Sequence, residues 1–165
     1  QQMAELMGKR KSNFEKFTDT FTSDEKKRAE TVAAGAKIFK TNCAACHQVA
    51  GEGAKIAPQL DGVGARGLDR LLEDILDPSR NVDQALRTTV LSTLDGKTIS
   101  GLLLRTEGKE YILADAQGKE LRVSQDNVSE KRESLLSPMP ANFADTLKEE
   151  EFYPLMAYLL SLKGK

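Results

Sequence analysis

The stretch Cys43-Ala44-Ala45-Cys46-His47 decides how this sequence is interpreted. It contains both cysteines and the one histidine of the 165-residue chain. The preceding residues, 23–40, have the spacing of apolar side chains that is typical of a helix. Whatever chemistry the chain carries through thiol and imidazole ligands must therefore use this short segment.

Four hypotheses account for such a cluster. A disulfide between Cys43 and Cys46 would close a very small loop and stabilise little. A structural zinc site usually has four ligands, and the cluster supplies three at most. A thioredoxin-like dithiol would follow a β-strand, whereas a predicted helix precedes Cys43. The fourth is covalent attachment of a c-type haem, since two thiols at this spacing can reach two vinyl groups of one porphyrin while His47 binds the iron. The motif favours this last hypothesis.

Composition restricts the other functions that the chain could have. Charged residues make up 30% of it and the formal net charge is -1, so nucleic acid is not an expected partner. Aromatic residues make up only 5% and Trp is absent, which is consistent with a macrocycle filling part of the interior. No run approaches the roughly 18 apolar residues that span a bilayer. No secretory signal is recognisable at Gln1, so we expect a mature product or a piece of a longer precursor.

Helical patterns flank the motif on both sides. We predict an N-terminal amphipathic helix or linker over residues 1–22 and a haem domain over residues 23–165. Thr22 to Glu25 resembles a capping box, which predicts a helix from there to about Thr41. Residues 68–76 and a tail beginning near Glu150 are also predicted helices. Pro154 is expected in the first turn of the last helix or at a bend.

Between about residues 87 and 128 the pattern becomes that of strands. A first strand is predicted over residues 88–94, where β-branched and apolar residues are frequent. Asp95-Gly96 is a strong hairpin signal, and three further strands are predicted up to Val123. We therefore predict an antiparallel β insertion, about 87–128, in an otherwise helical domain. The expected fold class is mainly α.

The whole pattern resembles the class I c-type cytochromes. The likeness is carried by the haem motif and by residues on both sides of it: Gly35, Phe39, Pro58, Leu60, Met139 and Tyr158. More narrowly, residues 137–140 (Ser-Pro-Met-Pro) and 157–162 (Ala-Tyr-Leu-Leu-Ser-Leu) resemble the C-terminal haem-binding domains of large planctomycete proteins. Pro138, where that family often has leucine, and Pro154 depart from the pattern.

The resemblance implies a role for each residue of the site. It implies a class I helical fold around one covalent haem c with its iron. Cys43 and Cys46 would form the thioethers and His47 would be the proximal iron ligand, with its second ring nitrogen donating to the carbonyl of Pro58. Leu60 would complete this side of the cofactor-binding site. Gly35 and Phe39 would cross the last helix near Tyr158.

Met139 is the best candidate for the sixth iron ligand. It lies between two prolines, in a stiff and non-periodic segment that can present a side chain to a metal. Met156, in contrast, falls on the apolar face of the last helix, where packing explains it. The alternative is that Met139 is an exposed linker residue and that the iron is five-coordinate or bound by a lysine.

The expected function is electron transfer by a haem with His/Met ligation, in a free carrier or in the cytochrome domain of a larger dehydrogenase. The chain is then not itself an enzyme, and its partners are redox proteins such as a dehydrogenase. A periplasmic or equivalent extracytoplasmic location is expected, because haem is attached covalently outside the bacterial inner membrane. The alternative is an open-site haem peroxidase or ligand sensor, although no second histidine exists to act as an acid or base. A third hypothesis makes the β insertion an interaction module.

Overall fold

The computed structural model describes residues 1–164, and the chain forms two compact units. The first contains Gln1–Asp77 and the chain from Ala141 onward, and the second is Pro78–Pro140. Helices account for 44% of the chain, and a five-stranded antiparallel sheet forms the second unit. The expected mainly α class is therefore corrected to a mixed one, because the strands form a unit of their own.

Within the described residues, the first unit contains five α-helices and a short 3-10 helix, Val63–Arg66. The α-helices are α1 Gln2–Asp19, α2 Glu25–Asn42, α3 Leu68–Leu76, α4 Phe143–Thr146 and α5 Glu149–Ser161. The predicted helix at 68–76 is confirmed by α3. None of the helices within residues 1–164 is long and apolar enough to cross a bilayer.

Helix α2, which leads into the cysteine motif, starts later than the sequence predicts. Its N-cap is Asp24, whose carboxylate accepts the backbone N–H of Lys27 at 3.0 Å. The predicted capping residue, Thr22, instead donates its hydroxyl to the carbonyl of Thr18 at 2.6 Å. A carboxylate is the better cap here, since it also carries negative charge at the positive end of the helix dipole.

Helices α2 and α5 cross in close contact. A Cβ on the buried Gly35 would overlap the carbonyl oxygen of Pro154 and would lie 2.6 Å from the Cβ of Tyr158. One turn further along α2, the rings of Phe39 and Tyr158 lie 5.6 Å apart at 57°. The predicted crossing of Gly35 and Phe39 with the last helix is thus confirmed. Pro154 lies inside α5 rather than in its first turn.

A buried cation joins α1 to the last two helices. Arg10 is only 7% exposed, and its guanidinium lies 5.2 Å from the ring centre of Phe152. The same group donates to the carbonyl of Ala144 at 3.3 Å and lies 3.5 Å from the carboxylate of Glu149. Because a buried charge needs such compensation, Arg10 fixes α1 against α4 and α5.

Replacing Arg10 by methionine should therefore loosen α1. Methionine retains most of the packing but loses the cation–π contact and the hydrogen bond, which predicts a loss of about 1–3 kcal/mol in the free energy of unfolding. Urea denaturation measures the difference. Lys9→Met is the matched control, because Lys9 is exposed on the same helix, and we expect it to change stability by less than about 0.5 kcal/mol. Equal effects of the two substitutions would contradict this role of Arg10.

The second unit is a single antiparallel sheet. Its strands are β1 Thr88–Thr93, β2 Thr98–Glu107, β3 Glu110–Ala114, β4 Glu120–Ser124 and β5 Val128–Glu133, in the order β4-β3-β2-β1-β5. The four predicted strands are present, and β5 is an addition that pairs with β1. One face has its own apolar core, made of Leu91, Leu113 and Val123 packed with Ile99, Leu103, Tyr111 and Val128.

Candidate haem site

The two cysteines and the histidine lie in one turn that follows α2. The carbonyl of Cys43 accepts the N–H of Cys46 at 3.1 Å and that of His47 at 2.9 Å. The N–H of Cys43 itself still bonds to the carbonyl of Phe39, at 2.8 Å. The motif is therefore a hydrogen-bonded turn directly after the last residue of α2, and these bonds hold the backbone of all three residues in a fixed arrangement.

The imidazole of His47 is oriented by the loop that follows it. Its Nδ1 lies 2.7 Å from the carbonyl oxygen of Pro58. A carbonyl oxygen can only accept, so Nδ1 must carry the proton and donate. In the neutral imidazole the other ring nitrogen, Nε2, then has the lone pair that a metal requires. This is the hydrogen bond that the resemblance implied.

The loop from residue 48 to residue 60 folds back on the motif through its backbone. The carbonyl of Cys46 accepts the N–H groups of Ile56 at 3.2 Å and Ala57 at 2.8 Å. The N–H of Leu60 donates to the carbonyl of Gln48 at 3.0 Å. These bonds bring Pro58 to the histidine, and they place the half-buried Leu60 in the loop that wraps the motif.

Gly53 is a residue whose importance the sequence interpretation missed. Its φ is +97°, and a Cβ there would overlap the carbonyl oxygen of His47 and lie 3.1 Å from that of Ala44. Only glycine allows this approach without strain. The signal in the sequence is the pair of glycines at 51 and 53, which by itself indicates only an irregular loop.

The two cysteines are not paired with each other, which is compatible with covalent attachment of a haem. Cys43 and Cys46 are half-buried and are not joined in a disulfide. Burial, with a smaller contribution from Cys46, raises the pKa of the Cys43 thiol to about 12. Burial also lowers the pKa of His47, and the bond to Pro58 acts in the opposite direction. Two thiols beside a neutral imidazole with an available Nε2 are the donor set that a c-type haem requires.

The zinc hypothesis gains no support from the surroundings of the motif. Within residues 1–164, no group of three or more His, Cys, Asp or Glu side chains is placed to hold a metal ion. Structural zinc sites are almost always four-coordinate. The motif therefore lacks the additional ligands that zinc would need from this part of the chain.

Met139 belongs to the second unit. It follows β5 in the segment Ser137-Pro138-Met139-Pro140 and is half-buried. Its backbone N–H donates to the hydroxyl of Ser137 at 3.1 Å. The structure thus brings Cys43, Cys46, His47, Pro58 and Leu60 together in the first unit, and it places Met139 in an ordered loop of the other.

Comparison with known families identifies the motif and its surroundings. The family model named Cytochrome c matches residues 32–117, which is more than half of the chain and includes the whole motif. The chain belongs to the cytochrome c family. No curated protein sequence matches it significantly.

Membership of the cytochrome c family decides the cofactor and the general function. The chain carries covalently bound haem c with its iron. Cytochrome c proteins are typically carriers that transfer electrons between redox partners, rather than enzymes. Cytochrome c domains are also commonly extracytoplasmic.

Proposed function

We propose that this chain is a class I cytochrome c domain that transfers single electrons, with His47 and Met139 as the axial ligands of one haem c. The observation that carries the proposal is the 2.7 Å contact between His47 Nδ1 and the Pro58 carbonyl. It fixes the proton on Nδ1 and so leaves the lone pair of the neutral imidazole on Nε2, in a residue that shares one turn with two thiols. The close crossing of α2 and α5 at Gly35 supports the class I assignment.

The residues of the first unit would bind and orient the cofactor. Haem c, when bound, supplies an iron centre that gains and loses one electron. Cys43 and Cys46 would hold it through thioethers, and His47 Nε2 would be the proximal ligand. Pro58 keeps the imidazole in one orientation and raises its basicity through the hydrogen bond. Leu60 would add an apolar contact on the same side.

Met139 would fill the remaining coordination position. A thioether ligand favours ferrous iron and raises the reduction potential, and a filled position excludes peroxide and gases. The single histidine of the chain is His47, so no imidazole is left to act as the distal acid or base that a peroxidase uses. These properties favour outer-sphere electron transfer over catalysis at an open iron.

The test is the substitution Met139→Ala in the holoprotein. The unmodified protein should have the weak far-red band of ferric iron bound to sulfur and should not bind carbon monoxide when ferrous. Met139→Ala should lose the band, bind carbon monoxide and show a reduction potential lower by on the order of 100 mV. Absorption spectroscopy and a redox titration provide these measurements.

Met156→Leu is the matched control for this experiment. Met156 is fully buried in α5, so leucine changes its volume little and the far-red band should remain. Rapid binding of carbon monoxide to the unmodified ferrous protein would refute ligation by Met139. It would favour the open-site alternative, a peroxidase or ligand sensor.

The wider context follows from the resemblance to planctomycete haem-binding domains. On that basis the cytochrome domain would be residues 23–165 with the sheet as an insertion, and its redox partner would be a dehydrogenase, fused or separate. A periplasmic or equivalent compartment suits covalent haem attachment. Cell fractionation followed by haem staining should find the haem-bearing polypeptide in the extracytoplasmic fraction, and staining confined to the cytoplasm would refute this location.

A further inference from the structure

The segment that contains Met139 is paired with the first strand of the sheet. We call residues 134–140 the methionine loop. The N–H of Ser134 donates to the carbonyl of Thr88 at 2.8 Å, and the N–H of Thr88 donates to the carbonyl of Leu136 at 2.9 Å. The loop therefore extends the pairing of β5 with β1, and its first half is fixed to the sheet.

Two serines continue this attachment as far as Met139. The N–H of Ser137 donates to the hydroxyl oxygen of Ser79 at 3.2 Å, and the N–H of Met139 donates to the hydroxyl oxygen of Ser137 at 3.1 Å. Both bonds are partly buried. They connect the backbone of Met139 to the segment that precedes β1.

The two prolines make these bonds decisive for the orientation of Met139. Pro138 and Pro140 have no N–H and a φ fixed near −65°. The N–H of Met139 is therefore the only backbone donor of residues 138–140, and it is bound to Ser137. The remaining freedom of the loop lies in the torsions next to Ser137 and Met139, which the two serine bonds restrict.

We propose that Ser137 and Ser79 are positioning residues that hold Met139 in the geometry of an iron ligand. Through them the sheet would control how firmly the sixth coordination position is closed. This inference rests on the proposed ligation by Met139. Neither serine would touch the cofactor, and both would act through the backbone of the methionine.

The probe is exogenous imidazole, which competes with Met139 for ferric iron in the holoprotein. Ser137→Ala removes the acceptor for the Met139 N–H, and an ordinary hydrogen bond corresponds to about a fivefold change in an equilibrium constant. We expect imidazole to bind about fivefold more tightly, with a weaker far-red band. Ser79→Ala should cause a smaller change, about twofold, because the bond between Ser137 and Met139 remains. Ser137→Thr keeps the hydroxyl and should behave as the unmodified protein does.

Ser134→Ala is the matched control in the same loop. The hydroxyl oxygen of Ser134 accepts the N–H of Leu136 at 3.2 Å, so this substitution removes a similar bond without affecting Met139. Its imidazole affinity should be unchanged. An equal increase in affinity for Ser134→Ala would overturn the proposal, because it would show a general loosening of the loop.

Two further outcomes separate this inference from the proposed function. If the unmodified protein lacks the far-red band, ligation by Met139 fails and the positioning role fails with it. If the band is present but Ser137→Ala and Ser79→Ala leave it and the imidazole affinity unchanged, only the positioning role is overturned.

Discussion

A protein in which Cys43 and Cys46 are both replaced by alanine is expected to contain no covalently bound haem. These are the only two cysteines of the chain, and a thioether to a vinyl group requires a thiol. The effect should be complete rather than partial. Mass spectrometry of the denatured polypeptide measures it directly: the unmodified chain should carry the added mass of one haem c, and the double variant should not.

Single substitutions and a neutral change make this experiment specific. Cys43→Ala and Cys46→Ala each leave one thiol and can form at most one thioether. Ala45→Ser is the matched control, because Ala45 is exposed within the same turn and contributes no ligand, so its haem content should equal that of the unmodified chain. Covalent haem on the double variant, or none on the unmodified chain, would refute attachment at these residues.

The part of the site that the sequence could predict is the part that is local. Cys43 and His47 lie within a single turn, so their spacing in sequence determines their spacing in space. His47 and Pro58 are eleven positions apart in the sequence, and only the resemblance to class I cytochromes predicts their contact. The role of Gly53 depends on how closely the returning loop approaches the motif, and no pattern of residue types reports that distance.

Strand β5 is a second feature that depends on a contact between residues far apart in the sequence, and the sequence does not predict it. The predicted strands alternate apolar and polar residues or follow hairpin signals, whereas β5 has the sequence Val128-Ser-Glu-Lys-Arg-Glu133, almost without apolar side chains. It forms because its backbone pairs with β1, a partner far away in the sequence. A charged strand at the edge of a sheet is also protected from pairing with other chains. Its exposed pattern therefore resembles a loop when only the sequence is read.

The prediction of the N-cap of α2 is wrong for a different reason. Thr22 and Asp24 are both N-cap residues and lie two positions apart, and the preference for aspartate over threonine is small. The choice is made by the turn that ends α1, where the hydroxyl of Thr22 is already bonded to the carbonyl of Thr18. The turn that follows α1 thus determines the residue at which α2 begins.

Replacing Gly35 by alanine is expected to destabilise the first unit strongly, although the substitution adds only one methyl group. The added Cβ would overlap the Pro154 carbonyl oxygen, which is backbone and cannot rotate away, and it would lie 2.6 Å from the Cβ of Tyr158. The two helices would have to separate, which also disturbs the contact between Phe39 and Tyr158. We expect a loss of about 3 kcal/mol or more in the free energy of unfolding, which lowers the melting temperature by about 10 °C.

Gly8→Ala is the matched control, and its effect on the free energy of unfolding should have the opposite sign. Gly8 also lies inside a long helix, α1, but nothing lies within 4 Å of a Cβ placed there. The same chemical change should then show only helix propensity, and it should stabilise the protein by up to about 1 kcal/mol. Thermal denaturation followed by circular dichroism compares the two variants.

The opposite signs of the two glycine substitutions separate packing from propensity. If Gly35→Ala were neutral or stabilising, α2 and α5 would not be in van der Waals contact at this point. The helix that ends in the cysteine motif would then not be fixed against the last helix. The orientation of the motif, and with it that of His47, depends on this crossing, so Gly35→Ala should also alter the haem absorption spectrum while Gly8→Ala leaves it unchanged.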